Sequence, residues 1–315
     1  MSQSLKSLCL EALHATNPES KLALLATIAD KIWGVDSHPS QAPYATPPYK
    51  TILQAMSLDS GFIRPVSESS SQAESSLQLE SSLQTESSLR GTLEASSLQI
   101  PSYAGFCTIA HPRKIRRPKH IKSPQALAKV LHSIVHIEYS AIDLALDALR
   151  FGGLDATFYA DWLEVALQEG QHFALLLGSL HKLGFEYGDF EVHSLLFDAQ
   201  RATPRLSDRM ALLHRGLEAN GLDSNPFVLE KIKAFDSPVR GELIDTLGVI
   251  LRDEIEHVRK GDKWWRLSAT AHSAQDFIAL LRRYEAFRPR PRILNHEARL
   301  RAGFSQEEIT LLGNL

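Results

Sequence analysis

The sequence predicts an all-α protein built round a four-helix bundle. Two observations carry that prediction. Between residues 123 and 270, four long segments place apolar residues three and four apart, the spacing of one helix face, and each has start and stop signals. Nowhere do aromatic and β-branched residues alternate for long enough to make a strand. Four such helices bury their apolar faces most simply against one another.

Along the chain, 4–15 and 18–33 read as an N-terminal helical pair within residues 1–35. Asn17 and Pro18 supply the cap and first-turn residue of the second helix. Residues 36–122 read as a linker. Its first part, 36–65, carries Pro39, Pro43, Pro47, Pro48 and Pro65 and is expected to be extended. "ESSLQLESSLQTESSLRG" then repeats every six residues. Such a step turns a helix by about 240°, so Leu77, Leu83 and Leu89 share no face. Residues 66–99 are serine-rich and are expected to be largely disordered. "HPRKIRRPKHIK" (111–122) is basic and contains no acid.

The bundle is expected over 123–270. Ser123-Pro124 opens its first helix, which ends before Gly152-Gly153. The second runs from about Thr157 to Leu183, where Gly184 stops it, and a mixed loop covers 185–204. The third runs from about Arg205 to Ala219 and ends at Asn220-Gly221, with a short helical piece at 226–235. Ser237-Pro238 opens the fourth, which reaches about Ser268. A C-terminal helical extension, 271–315, holds a helix near 274–286, an arginine-proline stretch and a last short helix. Ser305 and Glu308 make a capping box for the last of these.

Composition narrows the function classes. The 315 residues are 43% hydrophobic and 23% charged, ordinary for a globular protein, and the net charge of -3 gives no general attraction for nucleic acid. DNA is not an expected partner. The two cysteines, Cys9 and Cys107, are too few and too far apart for a disulfide framework or a thiolate zinc site, and suit a reducing cytoplasm. Lys6 and Glu11 interrupt any apolar leader, and the longest apolar run, near "FALLLGSL", is too short to cross a membrane.

The chemistry lies in acids that sit on apolar stripes. In the first bundle helix Glu138 falls among Ile134, Val135, Ala141, Ile142 and Ala145. The second offers Glu169 and His172, spaced i, i+3. The third offers Glu218, and the fourth Glu254 and His257, again i, i+3. A carboxylate facing a core is costly unless it is paired or metal-bound. At i, i+3 both side chains leave one helix face together. The order Glu, Glu-x-x-His, Glu, Glu-x-x-His, one element per helix, is that of carboxylate-bridged dimetal bundles. Oxygen and imidazole ligands without thiolate favour two iron ions, or manganese, over copper or structural zinc.

Three neighbours are candidates to support the ligands. Asp253 precedes Glu254 by one residue, about 100° round the helix, and either orients His172 across the bundle or pairs with Arg252 or Arg259. His214 lies one turn before Glu218. Tyr139, next to Glu138, bonds a ligand, carries a radical or packs between helices. Glu256 is expected to face solvent, and His132 and His136 to be packing residues rather than ligands.

The stretches "HSIVHIEYSAIDLALDALRF", "YADWLEVALQEGQHFALLLGSL", "HRGLEANGLDSNPF" and "ILRDEIEHVRKGDKWWR" resemble a bacterial ferritin-like family, of the rubrerythrin and ferritin-like group, labelled a domain of unknown function. The resemblance covers about 120–315 and implies a ferritin-like bundle. Its metal-ligand pattern falls on Glu138, Glu169, His172, Glu218, Glu254 and His257. Relatives in the wider group include a di-iron hydroxylase of a hypermodified tRNA adenosine.

The first functional expectation is therefore a di-iron oxidoreductase, an O2-dependent hydroxylase or oxidase supplied by an external electron donor. The second is a metal-handling or peroxide-scavenging protein without an organic substrate. The third is a non-enzymatic ferritin-like scaffold. Arg113, Lys114, Arg116, Arg117 and Lys119 offer a surface for a small or phosphate-bearing substrate. RNA is a weaker reading, because no aromatic residues interleave the cations.

Overall fold

The computed structural model describes residues 3–33, 45–59, 62, 92–93, 98–116, 118–288 and 293–315. Its core elements are α4 (Pro124–Ala148), α5 (Ala156–Lys182), α7 (Leu206–Arg209) continued by a π-helical segment (Met210–Leu217), and α9 (Arg240–Ser268). Around them lie α1 (Leu5–His14), α2 (Pro18–Trp33), α3 (Tyr49–Leu58), α6 (Leu195–Ala202), α8 (Ala219–Lys233), α10 (Ala274–Arg283), α11 (His296–Arg301) and α12 (Gln306–Gly313). Sheet among the described residues is limited to one antiparallel pairing of β1 (Thr92–Leu93) with β2 (Phe151–Gly152). No helix among them is long and apolar enough to cross a membrane.

The expected caps form. Ser123 Oγ accepts from Ala126 N with Pro124 at the first position of α4, and Asp155 accepts from Thr157 N and Phe158 N at the start of α5. Gly184 takes φ +80°, a conformation a side chain resists, just past the end of α5. Ser305 and Glu308 close the capping box of α12.

Several sequence expectations are corrected. The proline-rich 36–65 is not wholly extended, because Pro47 and Pro48 precede α3 rather than interrupt it. Ile52 and Met56 of α3 are fully buried. The mixed loop contains α6, whose Leu196, Phe197 and Ala199 are buried. The helix expected to end at Asn220-Gly221 continues to Lys233 through Pro226. Proline removes the hydrogen bond that Leu222 O would accept, and Asn295 Nδ2 donates to that carbonyl instead, at 3.2 Å. Asn295 also caps α11, which the arginine-proline stretch had obscured. Of the span expected to be disordered, only 92–93 and 98–99 are described, and 92–93 pair with β2. The remainder lies outside the described residues.

The N-terminal pair is part of the same core. Leu5, Leu8, Leu13, Leu25 and Ile28 are buried in the cluster that includes α4 and α5. A buried ion pair fixes its seat. Lys21 Nζ donates to Asp143 of α4 and to the carbonyl of Ala12 at 2.9 Å, while Ser102 Oγ donates to the other Asp143 oxygen. Removing one partner of a buried pair strands the other charge. Asp143→Ala is therefore expected to destabilise the fold by about 3–5 kcal/mol, read as a lower urea midpoint. The double variant Lys21→Met/Asp143→Leu should recover a large part of that loss, because it leaves no stranded ion.

Candidate metal centre

Four helix faces converge on one buried cluster. Glu138 sits on α4 beside Val135, Ile142 and Ala145, all buried. α5 brings Glu169 and His172, and α9 brings Glu254 and His257, each pair one turn apart and buried. Ligand-capable atoms of Glu138, Glu169, His172 and Glu254 all lie within 4.8 Å of one another. His257 joins through its Nδ1, 2.9 Å from Glu169 Oε1 and 3.5 Å from Glu254 Oε1. Glu218, at the end of the π segment, stands beside this group. Its Oε1 lies 3.1 Å from His214 Nδ1. Glu254 Oε2 lies 3.8 Å from the position a Cβ would take at Gly221, one turn of chain beyond.

Glu169 occupies the middle. Its Oε1 meets His257, and its Oε2 is 3.5 Å from His172 Nδ1, which is also 3.4 Å from Glu138 Oε2. Both rings turn Nδ1 inward and Nε2 outward. His172 Nε2 faces Asp253 Oδ2 at 3.2 Å, and His257 Nε2 faces Gln168 Oε1 at 2.8 Å. Donating Nε2–H outward selects the neutral tautomer whose Nδ1 carries a lone pair. That lone pair then faces carboxylate oxygens, acceptor against acceptor. Only a proton or a metal cation between them makes the arrangement favourable. Glu169 Oε2, His172 Nδ1 and Glu218 Oε2 are also buried without a hydrogen bond. A donor set of oxygens and imidazole nitrogens, with both cysteines elsewhere in the core, fits hard or borderline divalent ions.

The titration behaviour follows the same geometry. Burial, then the neighbouring Glu169, push Glu218 well above the usual carboxylate range and lift Glu254 to about 7. Burial likewise raises Glu138, against the pull of His172. Glu169 goes the other way. Burial would raise it, but the flanking imidazoles of His172 and His257 outweigh that and hold it low. Burial would depress His257, yet Glu169 and Glu254 carry it up to about 10, and Asp253, Glu138 and Glu169 similarly raise His172. The cluster thus gathers positive charge wherever it can.

Other candidates fall into place around it. Asp253 meets His172 through Oδ2 at 3.2 Å and accepts from Arg252 Nε through Oδ1 at 3.0 Å. His214 bonds Glu218 and packs on Trp162, with ring centroids 4.0 Å apart. Burial keeps it neutral, its pKa pushed down to about 3. Tyr139 is not brought to the carboxylates. Its ring packs among Tyr103, Phe106, Phe173 and Tyr187 and under Lys21, because one step from Glu138 turns it about 100° round α4. Glu256 is exposed and pairs with Arg259. His136 bonds Tyr187 and the His193 carbonyl, and His132 accepts from Gly188 N, so both anchor the loop after α5. Gln168 was missed, since an amide beside a Glu-x-x-His carries no sequence signal of its own.

The basic stretch is at the surface. Arg113, Lys114, Arg116 and Lys119 are exposed and make no ion pair among the described residues; Arg117 lies outside them. The strip is held by Ala110 N donating to Val192 O at 2.8 Å and by Lys231 Nζ donating to Pro118 O at 3.3 Å.

Comparison with known proteins gives a family but no chemistry. A protein of Haemophilus influenzae described as uncharacterized is 40% identical over 200 residues, covering 59% of this chain and 67% of its own length. No solved structure matches the chain. The model of a family described as "Protein of unknown function (DUF455)" matches residues 66–310, and the chain belongs to that family.

Proposed function

We propose that the chain is a ferritin-like dimetal protein and an O2-dependent oxidoreductase of the hydroxylase or oxidase kind. The observation that supports it most is Glu169, buried between the inward nitrogens of His172 and His257. Around it, Glu138 and His172 would hold one ion, and Glu254, His257 and Glu218 the other. Four carboxylates and two neutral imidazoles carry four negative charges, which two divalent ions offset. Paired iron ions in such a ligand set supply O2 reduction when an external donor provides electrons.

The chain's own residues prepare that chemistry. Asp253 and Gln168 hold the two imidazoles in the ligating tautomer. Phe173, Ile142, Val165 and Val258 are fully buried and keep water from the centre. A phosphate-bearing substrate would meet its charge partners at Arg113, Lys114, Arg116 and Lys119.

Three measurements check this reading. Anaerobic titration with Fe(II) should saturate at about two ions per chain, and Glu169→Ala should lose both while keeping its helical circular dichroism. A wild type that takes up no iron would end the proposal. Asp253→Asn and Gln168→Leu should each weaken iron binding by about 10–100-fold, measured by chelator competition. The reduced, iron-loaded protein should consume O2 in a single turnover. If that turnover is no faster than for free Fe(II), the protein stores metal rather than oxidising with it.

A further inference from the structure

The third ligand-bearing helix departs from α geometry where it approaches the cluster. Met210–Leu217 is π-helical, and Glu218 N donates to Leu213 O, five residues back, at 3.1 Å. π turns are rare because they pack and hydrogen-bond less well than α turns, so the surroundings must hold them. An α-helix over the same residues would advance the register by about one residue. Glu218 would then swing about 100° away from the other carboxylates.

Two contacts brace the segment from outside the cluster. On α9, a Cβ at Gly261 would fall 2.5 Å from His214 C and O and 2.9 Å from Arg215 N, so backbone meets backbone where any side chain would force the helices apart. The second brace is Arg215, fully buried within the π segment. Its Nε donates to Asp262 Oδ1 at 2.6 Å and its Nη2 lies 2.8 Å from Glu308 Oε1. The guanidinium sits 4.7, 4.1 and 4.0 Å from the ring centroids of Trp265, Phe277 and Phe304. Phe277 belongs to α10, Phe304 precedes α12, and Glu308 lies in α12, where its Oε2 also accepts from Ser305 N at 2.7 Å. The C-terminal helices therefore close a cage on one side chain three residues from Glu218.

We infer that Arg215, caged by Glu308 and the C-terminal aromatic residues, is a positioning residue that locks the π register and thereby aims Glu218 at the metal cluster. The inference rests on the proposed dimetal centre for its functional meaning, but the lock itself has a metal-independent consequence. Without Glu308 the guanidinium keeps Asp262 yet loses its tie to α12, and the π segment is free to relax.

The test compares wild type with Glu308→Ala, and with the conservative Glu308→Gln in case the first fails to fold. Amide hydrogen exchange, followed without metal, should accelerate at least tenfold at residues 214–218 in Glu308→Ala while α4 and α5 stay protected. Unchanged exchange at those amides would overturn the lock, whatever the metal content proves to be. Mn(II) titration then reads the aim. Glu308→Ala should retain one ion and weaken the second at least tenfold, matching Glu218→Ala. The double variant Glu218→Ala/Glu308→Ala should bind no more weakly than Glu218→Ala alone. If the two losses multiply instead, Arg215 does not act through Glu218 and the inference fails.

Discussion

The structure is organised by the cost of burying acids. Glu138, Glu169 and Glu254 are buried and Glu218 nearly so, inside an apolar helical core. A carboxylate in such surroundings either takes up a proton or gathers compensating charge. Here three acids are pushed toward the protonated form and Glu169 toward the ionised form, because Glu169 alone is flanked by both imidazoles. No arrangement of helices would place four acids there for stability alone, since apolar residues of similar volume would pack at no electrostatic cost. The helical core, its caps and its outer helices can be understood as the frame that makes this concentration of charge tolerable.

That frame is thicker than the four ligand-bearing segments alone. α1 and α2 cover α4 and α5 through Lys21 and Asp143, and an ideal Cβ at Gly170, next to Glu169, would fall 2.6 Å from Leu25 Cδ1. One turn further along α4, Asp147 joins Arg150 and Arg209, with Arg209 reaching the Gln200 and Thr203 carbonyls around α6. Each network is a buried charge satisfied by several partners, the condition under which a buried ion holds neighbouring elements in one arrangement. Rigid walls of this kind matter to a ligand set, because carboxylates that drift by an ångström no longer share an ion.

The sequence revealed the long helices and the acids because both depend on local periodicity. Glu138, Glu169 and Glu254 betray themselves as acids on apolar stripes, and two Glu-x-x-His pairs are hard to explain as solvated faces. What stayed hidden depends on tertiary contacts. α3 and α6 are short and stabilised by burial of a few side chains, while Pro226 inside α8 is tolerated only because Asn295 serves the freed carbonyl. The π segment has no sequence signature of its own, since it packs on Gly261 of α9 and its Arg215 pairs with Glu308 of α12, both distant along the chain. Tyr139 shows the limit of adjacency: a neighbour in sequence lies round the helix, and only packing says which element it meets.

The two ends of the cluster are chemically unequal, and this follows from single residues. His172 gives its outward proton to the carboxylate of Asp253, whereas His257 gives its own to the neutral amide of Gln168. A negatively charged partner makes an imidazole a stronger electron donor than a neutral one does. Asp253 remains ionised, lowered by the His172 bond and by Arg252 against the effect of partial burial. Glu218 adds a further carboxylate at the His257 end, close enough that its charge contributes to raising Glu254. One ion would therefore face a strongly donating histidine with fewer carboxylates, and the other a weaker histidine with more. Under the proposed dimetal reading, two ions would not be equivalent in affinity or in ease of oxidation, because Asp253 and Gln168 differ in charge.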